Sequence, residues 1–437
     1  MSRPFDVGEP GTRCLIIHPQ ISGRGTESRS AQSHLGEATG LARAIDLRVA
    51  HAESVNVNKP RPATFLGQGT VDRIGETAEQ LRDQEPGALI IVMDCALTPV
   101  QQRNLEQAWD SKVIDRTGLI LEIFGARART REGRLQVELA ALTYQRSRLV
   151  RSWTHLERQR GGSGFTGGPG ERQIELDRRM IDQRIDRIKR DLKDVERTRA
   201  LHRKARKKVP YPIIALVGYT NAGKSTLFNR LTDANVAAED QLFATLDPTM
   251  RAIQLPSGRQ AVLSDTVGFV SSLPHELVNA FHATLEEVSE ADLIVHVRDI
   301  SHPESQAQKR DVLGVLGEIG IDDAAQNEMI EALNKIDLVD ADAHDAITAR
   351  SDRQNERVVA ISAETGEGCK ALLTAMSDHL SAGYQLIEVN VDPTDGRKLA
   401  WLYQHGEVVE RTDTDERILV TVRLSPIEAA RFEQQSQ

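Results

Sequence analysis

The sequence predicts an α/β protein built in three parts. An N-terminal α/β domain (residues 1–130) carries a long helical hairpin (131–208). A P-loop-type, doubly wound and mostly parallel sheet follows (209–383), then a small α+β domain (384–437). Three observations carry this. Short apolar runs alternate with helix-like stretches near the start and again from Ile213, the pattern of strands joined by crossover helices. Between these regions lie two heptad-patterned segments around a glycine-rich stretch. Finally, 437 residues exceed one ordinary domain of roughly 150.

In the first part the apolar runs "CLIIH" from Cys14, "ALIIVM" from Ala88 and "KVID" from Lys112 read as strands. Ser28 to Leu47 and Pro99 to Trp109 read as helices. "LGQGTVDRIG" from Leu66 is glycine-rich but lacks the Lys-Ser/Thr ending of a phosphate loop, so it is expected to form a turn.

The helical pair follows. Leu135, Leu139, Leu142, Leu149 and Leu156 step by threes, fours and sevens, and Ile181, Ile185, Ile188, Leu192 and Val195 alternate steps of four and three. Two such helices joined by a short loop make an antiparallel hairpin. Tyr144 to Lys208 holds 20 basic and nine acidic residues, a surplus of eleven, while the whole chain carries -9. The remainder therefore carries -20, and a basic segment on an acidic protein points to a polyanion, the alternative being a solvated helix face. Pro210 and Pro212 mark a boundary.

From Ile213 the runs "IIALV", "AVLS", "LIVHV", "MIEAL" and "VVAIS" end at glycine- or aspartate-bearing turns. After Tyr384, "QLIEVNV", a helix near Lys398 to Tyr403, "EVVERT" and "RILVTVRL" make the small α+β part. The first twenty residues lack the apolar core of a secretory signal, and no window of membrane-spanning length is without charge. Cys14, Cys95 and Cys369 form no C-x-x-C pair, so neither a disulfide framework nor structural zinc is expected. A reducing cytoplasm is the expected location.

The chemistry lies in the third segment. "GYTNAGKST" spans Gly218, Tyr219, Thr220, Asn221, Ala222, Gly223, Lys224, Ser225 and Thr226. It fits G-x-x-x-x-G-K-[ST] between a strand and a helix, where backbone N–H groups wrap phosphate oxygens. Lys224 is expected on the β- and γ-phosphates and Ser225 on Mg²⁺. "DTVG" (Asp265, Thr266, Val267, Gly268) supplies a carboxylate for the Mg²⁺ shell through water and the Gly268 N–H for the γ-phosphate. "NKID" (Asn334, Lys335, Ile336, Asp337) selects the base: a carboxylate at Asp337 accepts from guanine N1–H and the 2-amino group, which adenine lacks. In "SAETG" (Ser362, Ala363, Glu364) the Ala363 N–H is expected at guanine O6. Four motifs in order, each at a strand end, specify a GTPase. In "QLFATLDPT" both Thr245 and Thr249 qualify as the switch threonine. Phe269 stands where many GTPases orient water with glutamine, so it is expected to pack beneath the switch, with slow intrinsic hydrolysis.

At this point the sequence resembles the HflX-type GTPases of the Obg–HflX class. The resemblance rests on "VIDRTGLILEIFGARARTREGRLQVELAAL" from Val113, "GGSGFTGGPGERQIELDRR" from Gly161, "FATLDPT", "DTVGFV" and "NKID", and is strongest over Val113 to Gly366. It implies a cytoplasmic GTPase, expected to be a monomer, that binds the large ribosomal subunit and its rRNA. It further implies a role in splitting or rescuing stalled ribosomes under stress. The alternative is a GTP-dependent regulator of another protein or RNA-modifying complex. By the resemblance Thr245 is the Mg²⁺-binding switch threonine, and Phe243, Ala244, Thr245, Leu246 and Asp247 form the switch stretch on the nucleotide. Lys224, Thr245 and Gly268 are then the residues expected on the reacting phosphate. Phe269 follows the family pattern, whereas His282 stands where Lys or Arg is expected. Asn221 matches the position at which potassium-stimulated GTPases hold K⁺, its other reading being a brace for the loop.

Within the glycine-rich stretch, GSGFTG (Gly162 to Gly167) matches G-x-G-x-x-G but follows a helix, so it fails the context of a dinucleotide loop. A plain turn remains one reading. The other is a backbone-rich tip on RNA: Gly162 and Gly164 permit close approach, Phe165 stacks on a base, and Arg158, Arg160, Arg178 and Arg179 neutralise phosphates.

Overall fold

The computed structural model describes residues 11–21, 30–159, 169–206, 211–232, 242–243, 249–271, 287–353, 357–382, 384–414, 417–424 and 426–435. Its first sheet is built from β1 (Arg13–Ile21), α1 (Ala31–Arg43), β2 (Arg48–Val57), α2 (Gln68–Gln84), β3 (Leu89–Met93), α3 (Pro99–Trp109), β4 (Lys112–Asp115) and α4 (Arg116–Arg127). The order β2-β1-β3-β4 is parallel throughout. Buried strands such as "LIIVM" read as continuous apolar runs because helices cover both faces.

Local chemistry sets the helix starts. Ser30 accepts from the Ser33 N–H, and Thr98 with Gln101 closes a capping box before Pro99. Of the helix expected over Ser28 to Leu47, Ser28 and Arg29 lie outside the described residues, and α1 ends at Arg43 before a turn with Asp46 at φ 61°. The turn expected at "LGQGTVDRIG" is instead the start of α2, with Gly67 at the N-cap. Val71, Ile74 and Ala78 recur at helical spacing and are buried, and that burial outweighs the low helix propensity of Gly69 and Gly75.

Two long helices follow, α5 (Arg131–Gln159) and α6 (Pro169–Arg206). Arg184 bonds Glu138 at 2.7 Å and Arg146 bonds Asp182 at 3.3 Å; one sequence rises as the other falls, so the pair is antiparallel. Ile185 and Ile188 are buried. On α5, however, the buried hydrophobic residues are Val137, Ala140 and Ala141, while Leu135, Leu139 and Leu142 are half-buried. The helix packs on α3 and α4 as well as on α6, and its small residues allow the close approach.

The second sheet comprises β5 (Ile213–Gly218), α7 (Lys224–Thr232), β6 (Thr249–Gln254), β7 (Gln260–Asp265), β8 (Leu293–Asp299), α8 (Ser305–Glu318), α9 (Asp323–Asn327), β9 (Ile330–Asn334), α10 (Ala341–Arg353), β10 (Val358–Ala360) and α11 (Cys369–Ser381). Its order is β10-β9-β8-β5-β7-β6, parallel except for the edge strand β6. The third sheet is antiparallel, β11-β13-β12, from β11 (Gln385–Val391), α12 (Gly396–His405), β12 (Glu407–Asp413), β13 (Ile418–Leu424) and α13 (Pro426–Gln435). One apolar cluster joins the first two sheets: Ile120, Ile123 and Phe124 share it with Phe243, Val267, Phe269 and Val270. Phe124 and Phe243 meet edge-to-face, centroids 4.6 Å apart. Among the described residues no helix is long and apolar enough to cross a membrane.

Candidate nucleotide site

The loop after β5 is shaped by its backbone. Gly223 has φ +92°, and a Cβ there would lie 2.2 Å from Asn334 Nδ2. Asn221 also takes a left-handed conformation, φ 60°, as do Phe243 (58°) and Lys335 (68°). Left-handed non-glycine residues cost energy and persist where surrounding structure imposes them, and these three all lie in the nucleotide motifs.

Asn334, at the end of β9, ties two motifs together. Its Nδ2 donates to Ala222 O at 2.8 Å and its Oδ1 accepts from the Ala363 N–H at 2.9 Å. The Ala363 N–H, expected at guanine O6, is therefore committed to Asn334 in this structure. Arg230 of α7 braces the same loop by donating to the carbonyls of Ala363 and Glu364, a contact the sequence reading missed because the partners lie far apart in the chain. Ser362 is buried and accepts from the Thr365 N–H. Lys335 Nζ holds Asp299 at 2.7 Å, Ile336 is buried, and Asp337 is exposed.

Around the phosphate position, Ser225 Oγ donates to Asp265 Oδ2 at 2.7 Å, which brings the two expected Mg²⁺-shell oxygens together. Thr220 Oγ1 is buried with no hydrogen-bond partner among the described residues, a polar atom that a ligand or its water can satisfy. Hard oxygens of this kind fit Mg²⁺. Thr266 Oγ1 donates to Leu216 O at 2.6 Å and Val267 is buried, so these two support the strand end. Phe269 is buried and bound to the loop: its N–H donates to Gly218 O (3.1 Å) and its carbonyl accepts from Thr220 N–H (2.7 Å). A Cβ on Gly268 would lie 3.0 Å from Lys224 Nζ. Thr249 opens β6, paired with Asp265. Thr226 lies in α7 and is half-buried. Ala244, Thr245, Leu246, Asp247 and His282 lie outside the described residues.

Lys224 donates to Gly218 O (3.1 Å) and Tyr219 O (2.8 Å). Burial pulls its pKa down to about 8, against the opposing pull of Asp265. Bound polyphosphate favours the ammonium, so its pKa in the complex lies above the ligand-free value. Nucleotide affinity is then flat well below pH 8 and falls above it, by up to about tenfold per pH unit, with proton uptake on binding. Calorimetric titration at about pH 9 in two buffers of different ionisation enthalpy checks this. Buffer-independent heats would remove the coupling.

On the helical pair, Arg178 and Arg179 are exposed and, among the described residues, form helix-surface ion pairs with Asp182 and Glu175. Arg158 lies in α5, with its side chain outside the described residues, as are Arg160, Gly162, Gly164 and Phe165 altogether. The base of the pair is anchored at buried Asp115, which accepts from Tyr144 Oη (2.6 Å), Arg148 (3.1 Å) and the Gly118 N–H (2.8 Å).

A doubly wound sheet with a phosphate loop, a switch aspartate beside the loop serine and a guanine-type base loop at successive strand ends defines a P-loop GTPase. Family profiles match along the chain: "GTP-binding GTPase N-terminal" over 32–125, "GTP-binding GTPase Middle Region" over 127–206, "50S ribosome-binding GTPase" over 213–335 and "HflX C-terminal domain" over 346–436. The chain is 49% identical to GTPase HflX of Magnetococcus marinus, over 92% of this chain and 91% of that one. It is 40% identical to GTPase HflX of Escherichia coli, over 98% and 97%. A solved structure, the SsGBP and GDP complex, is similar at TM-score 0.49 and 21% identity, covering 85% of this chain and 99% of that one. The chain belongs to the HflX GTPase family.

Proposed function

We propose that the protein hydrolyses GTP with Mg²⁺ and docks on the large ribosomal subunit through α5 and α6, where it separates or rescues stalled ribosomes. The observation that carries the docking is the antiparallel pair itself: most of it falls in Tyr144 to Lys208, a segment with a surplus of eleven positive charges, and it is bolted at its base to Asp115 on the sheet that packs against the switch segments. The "50S ribosome-binding GTPase" description of the matched profile supports the same reading.

In this reading the loop N–H groups and Lys224 hold the β- and γ-phosphates. The Gly268 N–H meets the γ-phosphate, and Asp337 reads the guanine edge. Ser225, Thr245 and, through water, Asp265 would hold Mg²⁺, which when bound would supply positive charge to offset that of the phosphates. Asn221 would hold K⁺ where negative charge develops. Phe269 has no amide to align water, so hydrolysis is slow until the ribosome completes the site. The protein acts as a cytoplasmic monomer, and the glycine-rich tip approaches rRNA.

Co-sedimentation with purified large subunits and a non-hydrolysable GTP analogue tests this. Arg178→Gln with Arg179→Gln should weaken binding and flatten the log affinity against log salt slope by roughly 1.5. Hydrolysis should be faster with subunits, and faster in K⁺ than in Na⁺. Failure to sediment would overturn the ribosomal reading; equal rates in the two salts would remove only the potassium role.

A further inference from the structure

The carboxyl ends of β1 and β3 form the switch point of the first sheet, since the chain leaves β1 toward β2 on one side and β3 on the other. Such crevices usually receive a ligand. Here the crevice receives the GTPase unit. Arg116, buried at the start of α4, binds Asp94 and Glu37 and donates to Ser271 O (2.9 Å) and Ser271 Oγ (3.1 Å). Ser271 Oγ in turn donates to Glu37 Oε1 at 2.8 Å. Tyr219 Oη, from the phosphate loop, donates to Glu37 and accepts the Ser271 N–H at 2.7 Å. Burial alone would lower the pKa of Arg116, but Asp94 and Glu37 outweigh it and keep the guanidinium charged.

We propose that Glu37 and Arg116 are positioning residues that hold Tyr219 and Ser271, and through Ser271 the Gly268 segment, in the arrangement that favours GDP over GTP. This rests on the reading that Gly268 meets the γ-phosphate. Gly268 lies close beside Lys224, since a Cβ added to it would stand 3.0 Å from Nζ, and a phosphoryl group entering between them moves Gly268 outward. Ser271, three residues on, is held by a buried charged network, so that movement strains or breaks its bonds to Glu37 and Arg116. The first sheet also grips the other switch flank: a Cβ on Gly40 of α1 would lie 3.0 Å from Leu242 Cδ1, and Phe124 packs on Phe243. By linkage, a contact that resists the GTP arrangement lowers GTP affinity by the same factor that GTP weakens the contact.

The test is the ratio of affinities for a fluorescent non-hydrolysable GTP analogue and for fluorescent GDP on the full chain. Glu37→Gln should move the ratio toward the triphosphate by about fivefold or more. Ser271→Ala, a small change that removes only the Oγ bonds, should move it the same way by about two- to threefold and guards against misfolding of the charge variant. A merely structural role would weaken both nucleotides alike. Ratios unchanged in Ser271→Ala, or shifted toward GDP in either variant, overturn the proposal. Should the unaltered chain bind neither nucleotide, the nucleotide reading itself falls; should it bind both and the variants leave the ratio alone, only the positioning role falls.

Discussion

Gly223→Ala should lower GDP and GTP affinity by about a hundred- to a thousandfold while leaving the sheets folded. Two costs combine. At φ +92° an alanine is strained by roughly 1–3 kcal/mol. Its Cβ would also stand 2.2 Å from Asn334 Nδ2, so Asn334 must move. Asn334 joins Ala222 O to the Ala363 N–H, and its displacement loosens the phosphate loop and base loop together, costing roughly 1–3 kcal/mol more for the buried groups left unsatisfied. Equilibrium binding with circular dichroism as a fold control checks this. Affinity within about threefold of the parent would mean that the loop accommodates a side chain and does not cradle phosphate in this conformation.

Asp337→Asn should reverse base preference. The carboxylate is exposed within the 3₁₀ turn Ile336–Leu338, so the replacement disturbs no packing. Two charge-assisted bonds to guanine are lost at roughly 1.5–3 kcal/mol each, which is at least about a hundredfold in GTP affinity. Xanthine offers a carbonyl in place of the 2-amino group and pairs with the asparagine amide instead. Competition between GTP and xanthosine triphosphate reads the change. Retained preference for GTP would remove Asp337 from base recognition.

The phosphate loop, the switch aspartate and the base loop are legible because each is a short contiguous motif at a strand end, where neighbouring backbone groups and one or two side chains define a ligand geometry. The strands "CLIIH" and "ALIIVM" are legible because buried parallel strands are apolar throughout. The start of α2 was hidden: glycine at positions 67, 69 and 75 reads locally as a turn, whereas burial of Val71, Ile74 and Ala78 decides for helix. On α5 the leucine spacing announced a helix but not its inner face. Once α3, α4 and α6 all compete for that surface, Val137, Ala140 and Ala141 take the innermost places.

Sequence by itself determined the GTPase class, the order of the motifs, and the basic helical pair, because each depends on residues close together in the chain. Only tertiary structure decided that the first sheet closes on the GTPase unit. Glu37 and Arg116 are 79 residues apart, and Arg116 and Ser271 are 155 apart. A glutamate in a helix, an arginine after a strand and a serine after "DTVGFV" carry no local pattern that pairs them. Their partnership follows from burial: charged and polar groups removed from water at the carboxyl ends of β1 and β3 must satisfy one another, and the fold alone brings them within reach.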